Sequence, residues 1–189
     1  MIKKLMFIWI GLLFTAAAAH AQTTLHYINQ NVAYAQTLMR ENGIPASVIL
    51  AVAIHESAAG TSKIARNLNN HFGVKGKNSS TKIKSAYKGY ASVQDSYDHF
   101  VGFIQRKSAY NHLFDKYDED DYVAWVKGIQ RGGYAQSSLW PTKVIALIKK
   151  YELFKYDHTP RQLSKPTPTT TMSKTSQYLN TVLPLHKIK

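Results

Sequence analysis

The sequence predicts an α+β fold that is mainly helical, and three observations predict it. Apolar residues recur at helical spacing in several segments between residues 28 and 153. One of these, Ala46 to Ser57, is apolar nearly all round, the pattern of a helix buried at the centre of a domain. Residues 71–92 differ: Gly73, Gly76, Asn78, Ser79 and Ser80 break them into short runs such as Thr81 to Lys84 and Ala86 to Tyr90, which reads as a small β-hairpin.

The elements follow in order. Lys3 and Lys4, the apolar run Leu5 to Ala18 and the small-x-small triplet Ala19-His20-Ala21 have the layout of a secretory signal peptide, residues 1–21. The run is shorter than the ~20 residues that span a bilayer, so cleavage after Ala21 is expected and no integral membrane segment after it. The protein is expected to be exported, to the periplasm, the cell envelope or beyond. Ile28 to Asn42 carries a stripe of Val32, Ala35, Leu38 and Met39 that Gly43 ends. Pro45 suits the first turn of the central helix. A third helix covers Ser62 to Leu68. Helices resume at Asp95 to Gln105 with Ser92 as a candidate cap, then at Asp121 to Gln130 and at Thr142 to Leu153 after Pro141. The domain is expected to span residues 25–156. From Asp157 to Lys189 the composition changes to Pro/Thr-rich linker and basic tail, which cannot build a core.

Composition narrows the function. The 189 residues contain no Cys, so neither a disulfide framework nor a cysteine zinc site is available. Taking Lys3 and Lys4 from the 24 Lys and Arg leaves 22 against 11 Asp and Glu, a formal +11. That charge favours a polyanionic partner, and for an exported chain an anionic envelope polymer is a better fit than nucleic acid. Eight His residues form neither a His-x3-His pair nor a His-Glu-x-x-His motif, so no metal and no cofactor are expected. A monomer is expected.

The acids are sparse. Between Gln22 and Phe114 there are four, Glu41, Glu56, Asp95 and Asp98. Glu56 stands at the C-terminal end of the most apolar helix, where desolvation and the negative end of the helix dipole both favour the protonated form. A carboxylic acid that keeps its proton is what a glycosidase uses to protonate a leaving oxygen. Position alone leaves a second reading open, a structural Glu56 paired with Lys63 or Arg66.

The flanking residues decide between them. His55-Glu56-Ser57-Ala58-Ala59-Gly60 is followed by Ala65-Arg66-Asn67-Leu68-Asn69-Asn70-His71-Phe72-Gly73-Val74-Lys75, then by Tyr90-Ala91-Ser92-Val93-Gln94-Asp95-Ser96 and by Gly133-Tyr134-Ala135. Over residues 28–153 this resembles the glucosaminidase family of bacterial autolysins and flagellar rod-cap hydrolases, glycoside hydrolase family 73-like. The resemblance implies a lysozyme-like helical lobe with a small β-hairpin lobe flanking the cleft. It implies a peptidoglycan hydrolase, an endo-β-N-acetylglucosaminidase cutting the β-1,4 bond after N-acetylglucosamine in glycan strands. By matched position Glu56 is the general acid, Tyr134 joins it as a catalytic residue that lines the site near the acetamido group, and Asn69, Asn70 and Phe72 lie at the cleft and lobe junction. Ser57, Lys75, Tyr90 and Trp140 complete the expected substrate-binding set.

The second carboxylate has two readings. Asp95 stands where family members often have Glu and could activate water, or it could cap the helix beside it. The hairpin between Lys75 and Tyr90 holds no acid, so a second carboxylate there is excluded. Substrate assistance by the 2-acetamido group is the alternative. Of the aromatics, Tyr87, Tyr90, Tyr134 and Trp140 are candidates to face sugar, and Phe100, Phe103, Trp125 and Tyr151 are expected in the core. Three other readings stay open: a muramidase; a lytic transglycosylase, although the Gly-Leu-Met-Gln-type motif usual there is replaced by Asn-His-Phe-Gly-Val-Lys; and an inactive wall-binding protein.

Overall fold

The computed structural model describes residues 23–118 and 120–158. The expected signal segment and the Pro/Thr stretch from residue 159 onward lie outside the described residues.

Helix α1, residues 23–42, buries Tyr27, Ile28, Asn31, Ala35, Leu38 and Met39 along one face. It stops at Gly43, whose N–H donates to the Met39 carbonyl at 2.8 Å. Helix α2, Ala46–Ser57, is the predicted central helix, with every residue buried except His55 and Glu56. Burying Val48, Ile49, Leu50, Val52 and Ile54 is worth on the order of 10 kcal/mol as an upper figure. Helix α2 packs against the C-terminal helices α6, Tyr122–Arg131, and α7, Trp140–Lys150, and against α4, Val93–Arg106. Pro45 supplies no side-chain cap to α2. Asp157 does, its Oδ1 accepting from the Ser47 N–H at 2.7 Å. The residue expected to open the linker is therefore buried structure.

Helix α3, Lys63–Leu68, is capped by Ser62. Helix α4 opens with a capping box: Ser92 Oγ accepts the Asp95 N–H at 3.0 Å and Asp95 Oδ2 accepts the Ser92 N–H at 3.1 Å. Its inner face is Ser96, Tyr97, Phe100, Val101 and Ile104, the spacing of an amphipathic helix. A 3₁₀ turn, Ser108–Tyr110, leads into α5, Asn111–Lys116, which sequence periodicity did not suggest because only Leu113 on it is buried. Asp121 caps α6 through the Ala124 N–H at 3.1 Å. A last 3₁₀ turn, Leu153–Tyr156, follows α7.

The segment expected as a β-hairpin folds back on itself but forms one isolated antiparallel bridge, Lys75 to Tyr87, and no strand among the described residues. The reason is local. Beside the three backbone bonds Gly76 N–H to Ala86 O, 2.9 Å, Lys88 N–H to Val74 O, 2.8 Å, and Gly89 N–H to Lys77 O, 3.2 Å, side-chain amides take up further carbonyls along the arm. Asn78 Nδ2 donates to Ser85 O and Tyr87 O, and Asn70 Nδ2 to Val74 O and Lys88 O. We refer to residues 71–92 as the arm.

Candidate active site

The site grows from the C-terminus of α2. After Glu56 and Ser57 the chain turns through left-handed backbone at Ala58 and Ala59, both at φ 52°, a conformation that costs an L-residue roughly 1–2 kcal/mol. Ser57 holds this turn. It is fully buried, its Oγ donating to Ala53 O at 2.6 Å and accepting from the Gly60 N–H at 2.8 Å. Ser57 is spent on backbone and does not reach the cleft.

The next two motif residues work the same way. Asn69, left-handed at φ 50°, donates from Nδ2 to Tyr90 O and Ala91 O at 3.1 Å each, tying the end of α3 to the far end of the arm. Asn70, buried, accepts at Oδ1 from the Val74 N–H at 3.1 Å besides its two donations. His71 is also buried, with Nδ1 2.6 Å from the Tyr27 hydroxyl, itself 2.9 Å from that of Tyr97. Burial pushes the His71 imidazole down to about 4 and the Tyr27 phenol up to about 12, so this trio stays neutral. Phe72 then stacks on Phe100, centroids 4.5 Å apart, and meets the edge of Tyr97 at 4.9 Å.

These anchors bring Gly73 against Glu56. At φ +65° it takes a backbone conformation suited to glycine, and a Cβ built there would lie 3.5 Å from Glu56 Oε2. The other carboxylate oxygen, Oε1, accepts the Trp140 indole N–H at 2.8 Å. Trp140, 4% exposed at the start of α7, stands edge-on to His55 at 6.5 Å and beside Tyr134 at 5.4 Å. Glu56 is not paired with Lys63 or Arg66; the ion pair among the described residues is Lys155–Glu152. Tyr134 follows the C-terminal end of α6, where Gly132 packs so tightly on Tyr110 that a Cβ would fall 2.1 Å from its ring. The Tyr134 hydroxyl donates to Phe72 O at 3.1 Å. Burial first, and the Glu56 carboxylate second, hold its phenol well above its usual range, so it serves as a hydrogen-bond donor and not as an acid.

Together these groups line an open cleft of about 480 Å³. Among its described lining residues Glu56 is the sole carboxylate; His55, His99 and Tyr134 are the other ionisable groups, and Phe72, Phe103 and Trp140 give it aromatic walls. Of the residues singled out by sequence, Glu56, Phe72, Tyr134 and Trp140 meet here. Asp95 does not line the cleft; it is exposed, in the capping box of α4. Lys75 is exposed on the arm, and Tyr87 sits opposite it in the bridge. Tyr90 lies behind the wall, its hydroxyl 2.5 Å from His99 Nδ1 and Lys88 Nζ 5.2 Å above its ring. Burial raises the Tyr90 phenol to about 12.

Sequence reasoning missed His55, His99, Gln136 and Ser137 as lining residues and assigned Phe103 to the core, whereas it is half-buried at the cleft edge. Tyr151 is likewise half-buried, while Phe100 and Trp125 are core as expected. The register of α4 carried the signal: Asp95, His99 and Phe103 are successive i, i+4 neighbours, so a cleft at Phe103 also takes His99.

Residues 32–153 match the family model Glucosaminidase, described as mannosyl-glycoprotein endo-beta-N-acetylglucosaminidase. The chain belongs to the glucosaminidase family. It is similar to the exo-glucosaminidase LytG of Bacillus subtilis, 27% identical over 148 residues covering 69% of this chain and 52% of LytG. It is also similar to the peptidoglycan hydrolase FlgJ of Vibrio parahaemolyticus, 25% identical over 147 residues covering 67% of this chain and 47% of that one. The chain thus spans about half the length of these curated relatives. In fold it resembles the glycoside hydrolase domain of Salmonella typhimurium FlgJ, with a TM-score of 0.56 at 22% identity over 70% of this chain and 90% of that one. The family is the one that the Glu-Ser and Asn-Asn-x-Phe-Gly-x-Lys segments suggested, and its helical architecture is that of the described residues. No helix among them is long and apolar enough to cross a membrane, and no three His, Asp or Glu side chains among them converge to hold a metal.

Proposed function

We propose that this domain is a peptidoglycan hydrolase that cuts the β-1,4 bond after N-acetylglucosamine in glycan strands, with Glu56 as general acid. The observation that carries the reading is the setting of Glu56: a single carboxylate in an aromatic-walled cleft, with Oε1 engaged by Trp140 and Oε2 on the side of Gly73. In the proposed step Glu56 enters protonated and gives its proton to the leaving glycosidic oxygen. The Trp140 N–H then stabilises the carboxylate that forms, a charge-assisted hydrogen bond already in place before reaction. Phe103, half-buried at the cleft edge, offers an apolar face to a sugar ring, while the buried Phe72 and Trp140 back the wall. Tyr134 would line the pocket for the acetamido group.

The rest of the chain fits this reading. The formal charge of +11 that is left when Lys3 and Lys4 go with the signal draws it to an anionic wall polymer. The arm, in place of a regular β-lobe, would form the wall opposite the helical lobe. Asn69, Asn70 and Ser57 would hold the backbone that aims Phe72 and Glu56, and Asp95 would serve α4 as a cap. The catalytic domain would run from about residue 25 through Asp157, preceded by a removable export signal and followed by a tether. The names of the matched relatives, an exo-glucosaminidase and a peptidoglycan hydrolase, support the same substrate.

Digestion of purified peptidoglycan tests the proposal, with product ends identified by reduction and mass spectrometry. Reducing N-acetylglucosamine ends are expected from wild type, and Glu56→Gln should lower the rate by about 10²–10⁴ without changing the melting temperature by more than a degree or two. Anhydro-muramic ends would replace the reading with a transglycosylase, and reducing muramic ends with a muramidase. No release by wild type would make the protein a wall binder.

A further inference from the structure

Hydrolysis at a cleft with one carboxylate needs a second group beside the acid, either a protein base that activates water or the substrate's own acetamido group. Besides Glu56, the described lining residues that can exchange a proton are His55, His99 and Tyr134. Tyr134 is committed to the Phe72 carbonyl. His55 precedes Glu56 on α2 and meets Trp140, so it belongs to the wall that carries the acid. His99 comes from α4, a different element. Its Nδ1 is tied to the Tyr90 hydroxyl at 2.5 Å, and Nε2 has no hydrogen-bond partner among the described residues. In the tautomer that donates from Nδ1 to the Tyr90 oxygen, Nε2 carries the lone pair on the edge left for a ligand.

The surroundings keep this imidazole neutral. Burial lowers its proton affinity, and the cations Lys88 on the arm and Arg106 further along α4 lower it more. Tyr90 beside it holds its own proton, and Glu56, His55 and Tyr134 are the ionisable groups that share the cleft with it. A neutral imidazole with one nitrogen oriented by a hydrogen bond and the other free is the form a general base takes.

On the glycosidase reading above, we propose that His99 is the general base of this cleft, drawing a proton from the water that attacks the anomeric carbon. The water oxygen bonds to that carbon as its bond to the leaving oxygen breaks. The electron pair of the broken bond goes to the leaving oxygen, which takes the Glu56 proton, while the water proton goes to His99 Nε2. Solvent then returns a proton to Glu56 and removes one from His99. Attack from the face opposite the leaving group inverts the anomeric centre, so a β bond releases an α-anomer.

The experiment uses the full chain on soluble, uncrosslinked peptidoglycan strands. NMR follows the anomer first released by wild type, and kinetics compare His99→Gln, His99→Asn and Tyr90→Phe. An α-anomer is expected. Both His99 variants should lose about 10²–10³-fold in kcat with KM within about threefold. A base must be neutral, so wild-type kcat should fall as pH drops through the lowered imidazole value; this acidic limb should vanish in the His99 variants and shift in Tyr90→Phe. A β-anomer from wild type overturns the proposal in favour of the acetamido group, and needs no variant to fold. A kcat within about threefold of wild type in a folded His99 variant, or an unchanged acidic limb, also overturns it. If wild type releases no reducing N-acetylglucosamine ends, the glucosaminidase reading itself fails.

Discussion

Replacing Asp95 by Ala separates a helix cap from a catalytic base, because the two roles predict opposite pairs of numbers. The carboxylate accepts one hydrogen bond, from the Ser92 N–H at 3.1 Å, while the reciprocal bond from the Asp95 N–H to Ser92 Oγ is backbone-donated and survives the substitution. Losing a cap contact costs about 0.5–2 kcal/mol, and losing a negative charge from the first turn costs about 0.3–1 kcal/mol. The contributions overlap, so about 1–1.5 kcal/mol is expected, which for a domain of this size lowers the melting temperature by roughly 3–6 °C. Asp95→Asn keeps an acceptor oxygen and should lose about half as much. Thermal unfolding by circular dichroism and turnover of peptidoglycan are measured on the same samples. The cap role predicts kcat within about threefold of wild type once each variant is assayed well below its melting temperature. A melting temperature unchanged to within a degree, joined to a loss of about a hundredfold or more in kcat for Asp95→Asn, would refute the reasoning. Ser92→Ala combined with Asp95→Ala gives a further check, since the two sides of a capping box should couple and not add.

Three further outcomes follow from the same geometry. Trp140→Phe keeps most of the ring but removes the N–H that meets Glu56 Oε1; a hydrogen bond to a charged group is worth about 1.5–3 kcal/mol, so steady-state kinetics should show kcat/KM down by about tenfold to a hundredfold. Gly73→Ala forces an alanine to φ +65°, at about 1–2 kcal/mol, and sets a methyl group 3.5 Å from Glu56 Oε2; urea titration should show that loss of stability, and activity should fall further than stability explains. His71, 5% exposed, has its imidazole lowered to about 4 when folded against about 6.5 when unfolded, so the unfolded chain binds the proton more tightly. Its contribution is intact above pH 6.5, declines between 6.5 and 4, and is gone below that, at most about 3 kcal/mol. Urea midpoints at pH 7.5 and 4.5 should differ less in His71→Gln than in wild type.

How far the fold could be read ahead varied with the number of independent signals at each segment. Helix α2 was legible to the residue, because Gly43 and Pro45 set its start and continuous apolar sequence marked its burial, although the residue that closes it is a left-handed Ala58 and not a glycine. The start of α4 was legible from Ser92, and Asp95 doubles the signal by closing the box. Helix α5 was not, since six residues with one buried side chain have no period to detect. The arm was half legible. Its Gly, Asn and Ser residues announced turns, but nothing in their order tells that Asn70 and Asn78 would cap carbonyls 18 and 9 residues away and leave a single bridge. Asp157 was misjudged because the Thr and Pro after it set the composition of its window, whereas its own carboxylate reaches back 110 residues to Ser47.

At the site, the residues that announced the family and the residues that would do the chemistry are largely different sets. Ser57, Asn69 and Asn70 carried much of the resemblance, and each spends its side chain on backbone: a turn through left-handed alanines, a clamp on Tyr90 and Ala91, a grip on Val74 and Lys88. Such positions admit few substitutes, since a left-handed residue whose amide must bridge two carbonyls leaves room for little besides Asn. They are therefore vivid in sequence and silent in the cleft. His99 is the reverse case. Two turns into an amphipathic helix, it looks like any polar residue on a solvated face, and only the approach of Tyr90 on one side and the cleft on the other distinguishes it. Glu56 was found because it belongs to both sets: it ends the most buried helix, and it is the carboxylate of the cleft. The acids alone, Asp95 included, offer Glu56 no partner, because the ionisable side chain that α4 brings to the cleft is an imidazole.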